Sequence, residues 1–421
     1  MPKIRLNEGS LSTGSFDNGT SNKHWKEFEI KSLKYTIRRR KHTHTNTVSR
    51  KMRVAVVQIQ CDDTGNKEDN MKTLSDLLEA ELGGVGDNNE QQERPEMLVL
   101  APEFAICGYT YVYETMWKSA ERQDGLTEQF VCEMAFKYKI FFGLSYLEVR
   151  KFNDDNNDDG GSSDDNESDN EDHECHFLNT FCLAGPNGTI QGRVSKATPC
   201  SVEAYFFRAP PPVKSTPSSS HHVIECTNAS GELLRLGVLI CYENYVSDSL
   251  IELQQGPQLD LLLQPFSGPL ADDKNEYVKE TLRQMYLDVC SINGQYLHCP
   301  TLYCNKIGTW KQPSPSNAMP MTFDTEFPGC SSIYDYATNE IVGRLGENEQ
   351  GILSREVTLG TTIAESKTSS EKMLTIPRYW GGYTNPTPFL KVCILYEWLG
   401  SRSYKNDKLR KKLASEAWEK L

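Results

Sequence analysis

Arg53 to Gln60 reads RVAVVQIQ, a β-branched run of strand length. The residues before it have a different texture. Residues 1–51 are polar, rich in Ser, Thr, Asn and Lys, with a basic knot at Arg38, Arg39, Arg40 and Lys41. Such a segment cannot bury enough apolar area to offset the entropy of ordering it, so it reads as a disordered basic arm. The knot has the composition of a nuclear address or of part of a transit peptide, although Glu8 and Asp17 spoil the acid-poor pattern of the latter. The fold is expected to start at Met52.

Downstream of RVAVVQIQ, strand and helix patterns alternate. Met97–Ala101 (MLVLA) reads as a short buried strand, Leu126–Lys137 as a helix and Ile140–Val149 as a strand. Phe181–Ala184 and Thr189–Val194 flank a Pro-Asn-Gly turn as a hairpin. Leu233–Ile240 (LLRLGVLI) is a buried strand followed by a helix over Ser247–Gln255. Leu259–Gln264, Glu276–Ile292 and Tyr296–Tyr303 repeat strand, helix, strand. The pattern is that of one α/β domain over residues 52–360, followed by a tail over 361–421. In the tail, Phe389–Leu399 is strongly apolar, and Leu409, Leu413, Ala417 and Leu421 fall four apart on a basic amphipathic helix. That tail suits a cap on the domain, a contact with a second subunit or, less well given the acidic body, a membrane surface.

The formal net charge of −13 is a sum of opposed parts. The arm carries +8, the stretch Asn153–Cys175 carries −11 and no Lys or Arg, and −10 is left on the other 347 residues. A mildly acidic body repels phosphate backbones and anionic lipid heads, so nucleic acid and membranes are poor default partners. The acidic stretch reads as a disordered surface insertion. Asp155, Asn157, Asp159 and Gly160 open a calcium-loop pattern, but its closing Glu would fall at Asn166 and no amphipathic helices flank it, so the match reads as accidental. No apolar run approaches the roughly 20 residues that span a bilayer, and no apolar signal-peptide core follows the first basic residues. The expectation is a cytoplasmic protein with reduced thiols, since its 13 cysteines include no CxxC pair.

Three segments place a reactive side chain directly after a buried strand or hairpin, where an α/β scaffold exposes its chemistry. Glu103 follows MLVLA-Pro, Lys196 follows GRVS and Cys241 follows LLRLGVLI. Each alone has a plain explanation: a solvated strand-end carboxylate, a solvated lysine, a small buried thiol. Together they supply a nucleophile, a base to deprotonate it and a cation where negative charge develops on an attacked carbonyl or nitrile. A Cys-His arrangement is weaker, because His298 sits in a core strand pattern and His221 and His222 in a Ser/Pro-rich loop. His298, Cys299 and Cys304 fit no zinc spacing, so no metal is expected.

These motifs resemble those of the nitrilase superfamily, the carbon-nitrogen hydrolases. Pro102–Tyr109 (PEFAICGY) looks like the family's glutamate segment, Ser195–Glu203 (SKATPCSVE) like its lysine segment and Gly237–Asn244 (GVLICYEN) like its nucleophile segment, in the family's order. Weaker echoes are VAVVQIQ, Asn179-Thr180, Asn305–Gly308 and GCSSIYD at Gly329–Asp335. The resemblance implies a four-layer αββα sandwich that usually dimerises through helices. It further implies that Glu103 acts as general base, Cys241 as nucleophile, and Lys196 with the backbone N–H of Tyr242 as stabiliser of the tetrahedral intermediate. Glu203 would orient the site, and no cofactor is required.

The reaction is less tightly specified. Lys196, Pro199 and Glu203 keep the K-x-x-P-x-x-x-E spacing of the nitrilase branch, and Cys-Tyr-Glu-Asn is close to its Cys-Trp-Glu-Asn. However, Tyr242 stands where that branch has Trp, and Arg193-Val194-Ser195 stands where His-Arg is usual. Hydrolysis of a small amide or N-carbamoyl substrate is therefore the first expectation and nitrile hydrolysis the second. A non-catalytic module that retains the fold is the reading from another class. Loops Tyr111–Trp117, Tyr205–Lys214 and Pro265–Asp273 are expected to shape the pocket.

Overall fold

A computed structural model describes residues 50–83, 96–152, 174–200, 202–211, 221–270, 276–315, 322–360 and 398–420, all within the unit Asn46–Leu421. The arm up to Ser49, the insertion up to His173 with its calcium-loop pattern, and residues 361–397 of the tail lie outside these residues.

Strand β1 (Arg50–Gln58) contains the RVAVVQ run. It lies in a six-stranded sheet with β2 (Met97–Leu100), β3 (Phe141–Phe152), β4 (Glu174–Ala184), β5 (Ile190–Ser195) and β14 (Gly351–Leu359), in the order β14-β1-β2-β3-β4-β5. β1, β2 and β3 run parallel; β3, β4 and β5 form an antiparallel meander, and β14 pairs antiparallel with β1. A second sheet repeats this plan with β6 (Val223–Thr227), β7 (Leu233–Val238), β8 (Leu261–Pro265), β9 (Thr301–Cys304), β12 (Ser332–Asp335) and β13 (Glu340–Arg344), in the order β13-β12-β9-β8-β7-β6. Between β9 and β12, β10 (Ile307–Pro313) and β11 (Thr322–Pro328) form a separate ribbon.

The period-two geometry of strands sorts each apolar run into two layers. Met52, Val54 and Val56 of β1 face Leu234, Leu236 and Val238 of β7, with Leu261 and Leu263 of β8, in the core between the sheets. Ala55 and Val57 face the other way, onto helices α1 (Lys67–Leu82) and α3 (Leu126–Tyr138), between which the chain forms the short α2 (Tyr113–Lys118), and Leu262 of β8 faces α4 (Ser247–Gln255) and α5 (Glu276–Leu297). The layers are therefore helix, sheet, sheet, helix, the αββα sandwich expected. Near-continuous apolar runs such as MLVL and LLL are what strands buried on both faces require.

Several expectations need correction. Arg50 and Lys51, read as part of the arm, pair in β1, and Glu174 and Cys175, read as part of the insertion, open β4, where the sheet supplies backbone partners. Tyr296 and Leu297 belong to α5, where they pack into the helix layer, so the strand is only Thr301–Cys304. His298 is thus not a core-strand residue: it is half-buried, turns the chain at φ +58° and stacks on Tyr336. In the tail, the helix Lys408–Glu419 buries Arg410, Leu413 and Ala414, while Leu409 is exposed. Its inner face is rotated from the expected leucine stripe because Arg410 has buried acceptors waiting for it. The described part of the tail folds back onto the body as a cap: Tyr404, Leu413 and Ala414 join a cluster with Trp117, Leu147, Val149 and Phe177.

Candidate active site

Glu103 and Cys241 lie just past the C-terminal ends of parallel strands in opposite sheets, and Lys196 lies just past β5. β2 and β7 present Glu103 and Cys241 from the two sheets. Both Cys241 and Phe104, the residue after Glu103, are left-handed at φ +51°. Non-glycine residues avoid that region unless their surroundings enforce it, and it is concentrated at functional sites.

The structure brings Glu103, Lys196 and Glu203 into direct contact. Lys196 Nζ donates to Glu103 Oε1 at 3.0 Å and to Glu203 Oε1 at 2.8 Å, and all three side chains are buried from solvent. Glu103 is held from two further directions. Asn179 Nδ2 donates to Oε1 at 2.7 Å and the Ser267 N–H to Oε2 at 2.9 Å, while Ser267 Oγ donates to the Glu103 carbonyl at 2.5 Å. A carboxylate has roughly four acceptor sites, so one remains for an incoming proton. Glu203 opens the short turn Glu203–Tyr205 and accepts the Cys200 N–H at 2.7 Å.

Cys241 begins a 3-10 turn, Cys241–Tyr245, and is electrostatically coupled to Glu103, Lys196 and Glu203. Burial pushes its thiol well above the ordinary value and the Glu103 carboxylate adds to this, with Lys196 opposing in part. The resting sulfur is therefore a neutral thiol that needs a base. Burial disfavours the Lys196 ammonium, but the carboxylates of Glu103 and Glu203 outweigh it and hold its pKa well above the usual range. Glu203 is raised by burial and by Glu103, with Lys196 opposing. The side chain of Tyr242 is 40% exposed; what it was expected to contribute is its backbone N–H.

Several supports were not singled out from sequence. Glu243 is fully buried: its Oε1 accepts the N–H groups of Ala197 (2.6 Å) and Thr198 (3.1 Å) and its Oε2 that of Ile240 (2.9 Å). Asn244 Nδ2 donates to the carbonyls of Leu239 (2.7 Å) and Cys241 (3.0 Å). Asn179 was noted as a motif echo without a role. Of the expected pocket loops, Tyr111, Trp117 and Tyr205–Phe207 lie in one aromatic cluster, while 212–220 and 271–275 fall outside the described residues.

Residues 53–365 match the family model described as carbon-nitrogen hydrolase. The chain belongs to the carbon-nitrogen hydrolase family. Solved structures similar to this chain include a carbon-nitrogen hydrolase from Helicobacter pylori (14% identity, 81% of this chain and 95% of that one, TM-score 0.52) and an amidase of the nitrilase superfamily from Nesterenkonia (15%, 73% and 90%, 0.47). Another is Nit3 from Saccharomyces cerevisiae, a member of branch 10 of the nitrilase superfamily (15%, 80% and 94%, 0.46). No curated protein matches the chain by sequence.

An aromatic cluster packs behind Glu103. Phe104 stacks on Tyr109 (centroids 5.8 Å), Tyr109 on Trp310 (5.7 Å) and Tyr111 on Phe206 (5.3 Å). The turn that follows Glu103 is pinned from outside. Asp63 Oδ1 accepts the Tyr109 N–H at 2.6 Å and the buried Lys306 Nζ at 3.2 Å. Gly108, at φ +75°, passes so close that a Cβ would lie 2.6 Å from the Asp62 carbonyl. Among the described residues, no helix is long and apolar enough to cross a membrane, and no group of three or more His, Cys, Asp or Glu side chains could hold a metal ion.

Proposed function

We propose that this carbon-nitrogen hydrolase cleaves the non-peptide C–N bond of a small amide or N-carbamoyl compound through a thioester on Cys241. The observation that carries the reading is the buried Lys196 ammonium bridging two carboxylates beside a thiol that burial keeps protonated. Glu103 takes the Cys241 proton as sulfur attacks the carbonyl carbon. Once Glu103 is neutral, the Lys196 charge is less compensated and is available to the oxyanion that forms, helped by the backbone N–H of Tyr242. Collapse breaks the C–N bond, and the amine leaves with the proton from Glu103. Water then gives a proton to Glu103 and attacks the thioester; the acid leaves, and Cys241 recovers its proton. Glu203 keeps Lys196 in place through both steps.

A second reading, nitrile hydrolysis, is favoured by the spacing of Lys196, Pro199 and Glu203 and by the Cys-Tyr-Glu-Asn segment. The test is ammonia and amine release from a panel of amides, N-carbamoyl amines and nitriles, with Cys241→Ala beside the parent chain. Release from amides or carbamoyl amines that vanishes in Cys241→Ala supports the proposal, and release from nitriles alone supports the second reading. A silent panel with no covalent adduct on the Cys241 peptide by mass spectrometry points to a binding module. A cytoplasmic homo-oligomer completes the proposal. The described cysteines are free thiols, and α3 and α5 expose Phe136 and Tyr277 on the outer helix layers, where helix-mediated association would cover them.

A further inference from the structure

The C-terminal segment 398–420 grips the strand that carries Asn179. Arg410, on the helix Lys408–Glu419, is fully buried. Its guanidinium donates to the Tyr404 carbonyl (3.2 Å), to the Cys175 carbonyl (2.7 Å) and to the Glu174 carboxylate. Tyr404 is also fully buried; its hydroxyl oxygen accepts the Phe177 N–H at 2.8 Å, and its ring lies under the Arg410 guanidinium at 4.5 Å. Residues 174–177 of β4 are thus held by charged and polar contacts from the tail. Two residues on, Asn179 donates its side-chain amide to Glu103, and its carbonyl accepts the Lys196 N–H at 2.8 Å. A second path reaches Glu203: a Cβ on Gly400 would lie 2.7 Å from the Tyr205 ring, and the Phe177 carbonyl accepts the Arg208 N–H at 3.0 Å.

We infer that the segment 398–420 is a strap that sets the geometry of the Glu103–Lys196–Glu203 cluster, with Arg410 and Tyr404 as its positioning residues. The inference rests on the proposed function for what the cluster does, but not for how it is tested. A buried guanidinium with three acceptors is an expensive way to dock a helix, and here it holds the first two residues of the strand that carries Asn179. Leu413 and Ala414 would supply apolar docking without it.

The experiment measures, on the full chain, the rate at which iodoacetamide alkylates Cys241 between pH 6 and 10, followed by mass spectrometry of the Cys241 peptide. This readout needs no substrate, so a wrong substrate class leaves the strap testable. Arg410→Ala is expected to slow alkylation at least fivefold at pH 8 and to lower the rate across the whole pH range, because a less well placed Lys196 favours the thiolate less. Tyr404→Phe keeps the ring and loses the acceptor of the Phe177 N–H; it is expected to shift the profile in the same direction by a smaller amount. Lys412→Ala, at an exposed position on the same helix, should match the parent. The inference is overturned if folded Arg410→Ala keeps the parent profile, or if Lys412→Ala shifts it as much. Should Arg410→Ala fail to fold, an unshifted Tyr404→Phe overturns it.

Discussion

Glu243, two residues past the thiol, accepts the backbone N–H of Ala197, the residue after Lys196, at 2.6 Å. The same carboxylate accepts the Ile240 N–H just before the thiol. One buried side chain therefore ties the nucleophile turn of one sheet to the lysine turn of the other.

Glu243→Gln tests that tie. A glutamine amide has one accepting oxygen and one donating nitrogen, so it cannot face the N–H groups of Ala197 and Ile240 together without leaving a buried donor unpaired. Such an orphan costs about 1–3 kcal/mol. Urea denaturation should show a loss of that size, and turnover should fall at least tenfold. A variant with parent stability and parent activity would mean the tie is dispensable.

Lys196→Ala should cost more, about 3–5 kcal/mol, because it leaves two buried carboxylates without their cation. The loss should shrink as pH is lowered from 8 to 6. With Lys196 gone, Glu203, already raised by burial, rises further. A carboxyl whose native pKa exceeds its unfolded value gains stability for the fold by taking up a proton. Denaturation at both pH values, with Lys196→Ala/Glu203→Gln as a partial rescue, checks this; a loss independent of pH would contradict it.

Much of this was legible in the sequence because strand burial imposes a simple code. RVAVVQ, MLVL and LLRLGV are apolar enough to be read as buried strands, and Glu103 and Cys241 stand just past two of them, while Lys196 follows the half-buried hairpin strand IQGRVS. Glu203 came from the resemblance of SKATPCSVE to the family's lysine segment, and it does touch Lys196. Helix α1 was missed although Asn66 caps it and Leu74, Leu78 and Leu82 are buried at helical spacing; its charged majority masked the stripe. Asp63 has no local signal, and Ser267, inside an expected pocket loop, and Lys306, inside a motif echo, carry no sign of their contacts. Ser267 meets Glu103 across 164 residues and Lys306 meets Asp63 across 243, so their roles exist only in the folded chain. Arg410 misled the periodicity for a related reason: a guanidinium counts as polar until its buried acceptors are known.

Acid should loosen the tail before the core. Burial raises the Glu174 carboxyl, but hydrogen bonding and charge from Arg410 outweigh it and hold the group below the ordinary range. A carboxylate depressed in this way contributes stability that is present above its unfolded pKa, about 4.3, and is lost as pH falls through the native value. Trp418, on the same helix with the Arg122 guanidinium 4.2 Å over its ring, reports the docking. Its emission, isolated by difference from Trp418→Phe, should change between pH 5 and 3 ahead of the far-ultraviolet circular dichroism. Coincident transitions would show instead that the tail and core melt together.

The left-handed backbone at Cys241 separates the needs of chemistry from those of stability. At φ +51° a side chain with a Cβ is strained, by roughly 1–2 kcal/mol in this region, and glycine is not. Cys241→Ala and Cys241→Gly both remove the sulfur, so neither should turn over substrate, yet they differ in whether the Cβ remains. Cys241→Gly should be the more stable of the two by about 1 kcal/mol in urea denaturation, after its greater unfolded-state entropy has taken its share. Equal stabilities, or a more stable Cys241→Ala, would show that the turn is relaxed and that the thiol is presented without strain.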